Sequence, residues 1–143
     1  MLCTCTYDLR RRGFEVQANK ASYGYTPDDL KHWYPEAEVK RIEIPYRSSR
    51  RELTKLTTET VKSKLTEQGD GARGNLMIHW KGMYGGHSVA YEVFDGSLKI
   101  IDAQINKIYD NPDRFLKQIS HDVQFARFDN IDFNKESIKE VVH

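Results

Sequence analysis

The chain has no long apolar run, almost no net charge and few cysteines, and each shortage excludes a class of protein. Its 143 residues contain no stretch of about 18 apolar residues, the length that a membrane-spanning helix needs. The 22 Lys and Arg residues are balanced by 21 Asp and Glu residues, so no strong field for nucleic acid is expected. We therefore expect a soluble chain that binds neither nucleic acid nor a membrane.

The cysteines are limited to Cys3 and Cys5. One residue separates them, so they are poorly placed to form a disulfide with each other. The five histidines are scattered, and none has a metal-ligand spacing with the cysteine pair, so we expect neither a metal nor a cofactor. At least one thiol is therefore free, as a small buried hydrophobe or as a reactive group.

The segment "GGHSVAYEVFDGSLKIIDAQ", residues 85–104, has the pattern of a β-hairpin. Asp95 and Gly96 separate two alternating apolar runs, and both tolerate the positive φ of a two-residue turn. The register that follows pairs Phe94 with Ser97, Glu92 with Lys99, Val89 with Asp102 and His87 with Gln104. His87 and Asp102 are then diagonal neighbours on one face of the sheet, within reach of a hydrogen bond. The hairpin thus predicts a histidine oriented by an aspartate.

Capping signals and periodicity predict the other elements. The segment "CTCTYDLRRRG" is predicted to be a helix that starts at the cysteines and ends at Gly13. Further helices are predicted over 26–34, 49–68, 111–119 and 134–143, and further strands over 14–18, 75–80 and 122–128. Residues 37–45 are predicted to be a strand or an extended segment. A helix followed by a mainly antiparallel sheet indicates a single α+β domain over residues 1–143.

A cysteine at a helix start is favoured as a thiolate, and a nearby histidine activates it further. Cysteine, histidine and aspartate in this order, on an early helix and on adjacent strands of a later sheet, form the arrangement of papain-like enzymes. The segments "CTCTYDLRRRGFEV" and "GGHSVAYEVFDGSLKIIDAQ" together resemble the papain-fold toxin family. Its members are C-terminal domains of bacterial and phage polymorphic toxins and include glutamine deamidases.

This resemblance covers about a quarter of the chain and implies a papain-like fold, with the cysteine-bearing helix packed on an antiparallel sheet. It implies Cys3 as the nucleophile, His87 as the base and Asp102 as the residue that orients the base. Cys5 is the alternative nucleophile, and Gln104 matches a glutamine of the family motif. The implied activity is deamidation of glutamine side chains of a target protein. A cysteine protease with the same triad and an inactive papain-like binding module remain alternatives.

The resemblance also has implications for the biology of the chain. It implies delivery into a target cell as part of a larger secreted or phage-borne protein, action in the cytosol, and a cognate immunity protein. Members often carry another cysteine, preceded by asparagine, three residues before the position that matches Cys3. An upstream nucleophile is therefore a further alternative, in which residues 1–143 are an inactive C-terminal fragment.

Several neighbouring residues have simpler interpretations. His79 is expected to be structural, and Trp80 is expected to contribute packing. The basic segment "YRSSRR", residues 46–51, is expected to be a solvated surface. Gly85 and Gly86 either end a loop or allow a substrate backbone to approach His87.

Overall fold

A six-stranded antiparallel sheet forms the centre of the computed structural model, which describes residues 1–21 and 25–143. Its strands are β1 (Lys40–Arg41), β2 (Arg73–His79), β3 (Gly86–Phe94), β4 (Ser97–Asp102), β5 (Lys107–Tyr109) and β6 (Gln124–Arg127). Their order across the sheet is β1-β6-β2-β3-β4-β5. The long hairpin of β2 and β3 therefore lies in the middle of the sheet.

The helices of the described residues are α1 (Leu2–Arg11), α2 (Pro27–Trp33), α3 (Arg50–Thr66) and α4 (Asp113–Leu116). Two of them, α2 and α3, begin directly after the capping residues that the sequence indicates, Thr26 and Ser49. Gly13 follows α1 with a φ of 99°, and the Ser49 side chain accepts a hydrogen bond from the Glu52 amide at the start of α3, as predicted. The α+β class is confirmed. Among the residues described, the structure has no helix whose length and hydropathy would let it cross a membrane.

The sheet separates two hydrophobic cores, because successive side chains of a strand point to opposite faces. On one face, α3 and α4 cover a core that includes Val61, Leu65, Leu76, Tyr91 and Phe115. On the other face, α1, α2 and the C-terminal segment form a core that includes Cys5, Leu9, Trp33, Phe128 and Val141. The cysteine-bearing helix thus packs on the antiparallel sheet, as expected.

The predicted hairpin register is correct near the turn and wrong beyond it. Asp95 and Gly96 form the loop with φ values of 52° and 71°, and the ladder runs from the Phe94–Ser97 pair to the Ala90–Ile101 pair. The predicted pairs Val89–Asp102 and His87–Gln104 are not part of the ladder. Asp102 is the last residue of β4 and pairs with Lys107 of β5, on the other edge of β4, and Gln104 lies in the turn that follows.

Two other predictions are wrong, those of a strand over 14–18 and of a helix over 134–143. The predicted strand 14–18 forms only an isolated bridge between Ala18 and Val142. The segment 37–45, predicted as a strand or an extended segment, contains the two-residue strand β1. The predicted C-terminal helix is a single 3₁₀ turn, Ser137–Glu140. Strand β5 was not predicted, because its three residues carry no periodicity that can be detected.

Candidate active site

His87 and Asp102 meet at one end of the sheet, where β3 begins and β4 ends. Nε2 of His87 lies 2.8 Å from Oδ2 of Asp102. The side chains are 18% and 4% exposed, respectively. The predicted contact between the two residues is therefore confirmed, although the ladder between β3 and β4 ends before it reaches them.

Asp102 is itself fixed in place, because its second carboxylate oxygen accepts a hydrogen bond from the backbone amide of Gln104 at 3.2 Å. A carboxylate beside Nε2 favours the tautomer in which Nε2 carries the hydrogen and donates it. Nδ1 of His87 is then the nitrogen that can accept a proton. The pair has the arrangement of a general base and the acid that orients it.

Trp80 restricts the imidazole from one side. Its ring stacks on that of His87 with 5.5 Å between centroids and an interplanar angle of 26°, and it also contacts Phe115 edge to face. The β2–β3 register places Ile78 opposite His87. Trp80, two residues after Ile78, is therefore a diagonal neighbour of His87 on the same face. We predicted Trp80 only as a packing residue, and the register of this second hairpin is the signal that would have placed it beside His87.

Helix α1 is anchored to β3 by polar contacts. The Thr4 hydroxyl donates to the Ser88 carbonyl at 3.3 Å, and the Tyr7 hydroxyl donates to Glu92 at 2.6 Å. Arg11 also donates to Glu92, at 2.7 Å. These contacts hold the N-terminal end of α1 beside the end of β3 that carries His87.

The two cysteines have very different surroundings. Cys5 is fully buried in the core beneath α1, and burial raises the pKa of its thiol to about 12. A thiol with such a pKa is protonated at neutral pH and is a poor nucleophile. The structure therefore places Cys5, our alternative nucleophile, in the role of a small buried hydrophobe. Cys3 is partly exposed.

Cys3 and His87 line neighbouring cavities rather than the same one. Cys3 borders a cavity of about 260 Å³ together with Ala103. His87 borders a second cavity of about 560 Å³, which is also lined by Met1 and Gln104. Because Ala103 and Gln104 are consecutive, the turn after β4 lies between the two cavities. The structure thus assembles the predicted histidine and aspartate, places Gln104 at their cavity, and puts Cys3 in the adjacent one.

The cavity at His87 is lined by apolar side chains such as Met77 and Ile78 as well as by polar ones, and no acidic side chain lines it among the residues described. His79 contributes to it, with Nδ1 3.1 Å from the Gly85 carbonyl oxygen, so His79 orders the loop between β2 and β3. Gly85, with a φ of 85°, and Gly86 also line the cavity. Within residues 1–21 and 25–143, no group of three or more histidine, cysteine and acidic side chains could hold a metal ion.

Comparison of the chain with protein-family models, with curated proteins and with solved structures finds no match. The assignment of a function therefore depends on the geometry of His87, Asp102 and the start of α1.

Proposed function

We propose that this chain is a papain-like, cysteine-dependent amidohydrolase of toxin or effector type that deamidates glutamine side chains of a target protein. The observation that carries the proposal is the hydrogen bond between His87 and Asp102 beside the N-terminal end of the helix that bears Cys3. Of the two cysteines, Cys3 is partly exposed and borders a cavity, whereas Cys5 is buried. A cognate immunity protein and delivery within a larger secreted or phage-borne protein belong to the same proposal.

The proposed reaction begins when Nδ1 of His87 takes the thiol proton of Cys3. The thiolate attacks the carboxamide carbon of glutamine, and the resulting oxyanion accepts hydrogen bonds from backbone amides in the first turn of α1, which have no partner within the helix. His87 then gives its proton to the leaving ammonia, which leaves an acyl-enzyme thioester. Water, activated by His87, hydrolyses the thioester to glutamate and restores the thiol. Asp102 holds the imidazole throughout.

A geometric requirement follows from this sequence of steps. The sulfur of Cys3 must reach Nδ1 of His87 across the turn that contains Ala103 and Gln104. Because Met1 rather than Cys3 lines the cavity at His87, a second candidate function is a binding module that uses this cavity without catalysis. The experiment must therefore separate chemistry from binding.

The test is expression of the wild-type chain and of the single variants Cys3→Ala, His87→Ala and Asp102→Ala in bacterial and eukaryotic hosts. Growth is followed, and host peptides are analysed by mass spectrometry. We expect growth inhibition by the wild type, with a gain of about one mass unit at glutamine in a host protein, because hydrolysis replaces –NH₂ by –OH. Cys3→Ala and His87→Ala should abolish both effects, and Asp102→Ala should weaken them.

His32→Ala is the matched control, because His32 is an exposed histidine of α2 outside the cavity, and this variant should behave as the wild type. New peptide termini in place of deamidated glutamines would assign proteolysis by the same residues. Toxicity that survives both Cys3→Ala and His87→Ala would exclude an enzyme and favour the binding module.

A further inference from the structure

A third cavity, of about 390 Å³, which His87 does not line, lies between the start of α3, the loop after β2 and the segment that joins α4 to β6. The residues that matter for its chemistry are Arg50, Leu53, Thr54, Lys81, Ser120 and His121. Its volume falls in the range of about 300 to 1,000 Å³ that is typical of sites for small molecules. The basic segment that we expected to be a solvated surface thus contributes Arg50 to a cavity.

Within the part of the chain that the structure describes, no acidic side chain at this cavity neutralises its positive charge. The Lys81 ammonium group donates to the Thr54 hydroxyl and, at 2.7 Å, to the Lys117 carbonyl, and both acceptors are neutral. Among the residues described, no carboxylate lines the cavity. The nearby carboxylate of Asp122 is paired with Arg41 instead. Burial, together with the charge of Arg50, lowers the pKa of Lys81, so an anion placed here would relieve an unfavourable interaction.

Two hydroxyl groups can donate beside these cations. Thr54 accepts the hydrogen bond from Lys81, so the hydrogen of its own hydroxyl remains available to donate. Ser120 accepts from the Asp122 amide at 3.3 Å and likewise keeps its hydroxyl hydrogen. Cations and hydroxyl donors around one space are the groups that bind the oxygens of an oxyanion.

We propose that this cavity binds a phosphate monoester. Arg50 and Lys81 hold the phosphate group, and the hydroxyls of Thr54 and Ser120 donate hydrogen bonds to its oxygens. Two cations without a carboxylate partner match a group with a charge of about −2 better than a carboxylate, which carries one negative charge. The apolar side chains of Leu53 and Ile119 at the same cavity suit the organic part of the ester. This site is independent of the reaction proposed at His87.

The test uses phenyl phosphate as the probe and isothermal titration calorimetry at constant ionic strength, near pH 8, where a phosphate monoester is a dianion. Phenol and benzoate are titrated as the neutral and the singly charged analogues. Arg50→Gln is the diagnostic variant. Arg51→Gln is the matched control, because Arg51 is the next residue of the same helix, is exposed and does not line the cavity.

We expect saturable binding of phenyl phosphate, weaker binding of benzoate and none of phenol. Arg50→Gln should weaken phosphate binding about tenfold, the effect of losing one charge-assisted hydrogen bond, whereas Arg51→Gln should change it less than about twofold. Lack of saturable binding, equal affinity for benzoate, or equal losses in the two arginine variants would overturn the proposal. Equal losses of affinity in Arg50→Gln and Arg51→Gln would indicate that phenyl phosphate is attracted nonspecifically to the basic surface.

Discussion

At the scale of single residues, burial gives the two cysteines different properties although only one residue separates them. Consecutive odd positions of a helix point in directions about 200° apart, so Cys5 faces the core beneath α1, where it is fully buried, while Cys3 reaches a surface cavity. The two thiols therefore differ in their access to solvent. The raised pKa of Cys5 also keeps its thiol protonated at neutral pH.

This difference predicts the order in which the thiols react. With iodoacetamide at neutral pH, Cys3 should be alkylated in the native protein, whereas Cys5 should be alkylated only after denaturation, because its thiol is inaccessible and protonated. Peptide mapping after timed quenching measures both rates in one sample. Rapid labelling of native Cys5 would show that α1 separates from the sheet much more readily than its contacts indicate.

The same assay tests the proposed base. If His87 accepts the proton of Cys3, His87→Ala should slow alkylation of Cys3, and His32→Ala should leave the rate unchanged. An unchanged rate in His87→Ala would indicate that the two residues do not act on each other in the free protein.

At the scale of secondary-structure elements, the carboxylate of Glu92 makes two of the polar contacts that hold α1 on β3. Burial opposes the ionisation of Glu92, but hydrogen bonds from Tyr7 and Arg11 and the charge of Lys99 outweigh it and lower the pKa of Glu92 below its ordinary value. A carboxylate whose pKa is lower in the folded state stabilises the fold above its unfolded pKa. This contribution is lost as the pH falls through the folded pKa.

Glu92→Gln should therefore destabilise the protein by about 1 to 3 kcal/mol near neutral pH, the range for a buried hydrogen bond to a charged group. The loss should shrink below about pH 4.5, the ordinary pKa of glutamate, because wild-type Glu92 is itself protonated as the pH falls further. Urea denaturation from pH 7 down to pH 3 measures the free energy of unfolding of both proteins.

Glu59→Gln is the control for this series, because Glu59 is an exposed carboxylate of α3. This substitution should lower the free energy of unfolding by less than about 0.5 kcal/mol. A loss in Glu92→Gln that stays constant at every pH would contradict an electrostatic origin and indicate a packing defect.

At the scale of the whole molecule, the two cores share the strands of one sheet. Leu76 packs in the core beneath α3, and its neighbour Met77 packs against the core beneath α1. Loss of either core exposes one face of β2, a strand that is paired on both sides. The cores should therefore unfold together.

The two tryptophans of the chain can report on this coupling separately. Trp33 is buried in the α1 core and Trp80 packs against the α3 core. In the variants Trp33→Phe and Trp80→Phe, the remaining tryptophan fluorescence should follow the same urea transition as far-ultraviolet circular dichroism of that variant, as a two-state domain requires. Transitions that differ between fluorescence and circular dichroism in either variant would show that the faces unfold independently.

The sequence by itself determined the features that depend on neighbouring residues. The Asp95–Gly96 turn determined the hairpin and its register up to the Ala90–Ile101 pair, since a two-residue loop sets the pairing of the strands that it joins. His87 and Asp102 therefore lie at the same end of the hairpin. Capping residues determined the starts of α2 and α3, and the basic residues and Gly13 marked the end of α1. These signals depend on contacts within a few residues, so they can be recognised in the sequence without knowledge of the tertiary contacts.

Only the tertiary structure decided how distant segments meet. The burial of Cys5, the turn that separates Cys3 from His87, and the stacking of Trp80 on His87 depend on which elements pack together. The cavity of Arg50 and Lys81 likewise joins three segments that are far apart in the chain. A local pattern predicts which residues share a strand or a helix face. Which element packs against that face depends on the packing of the whole chain.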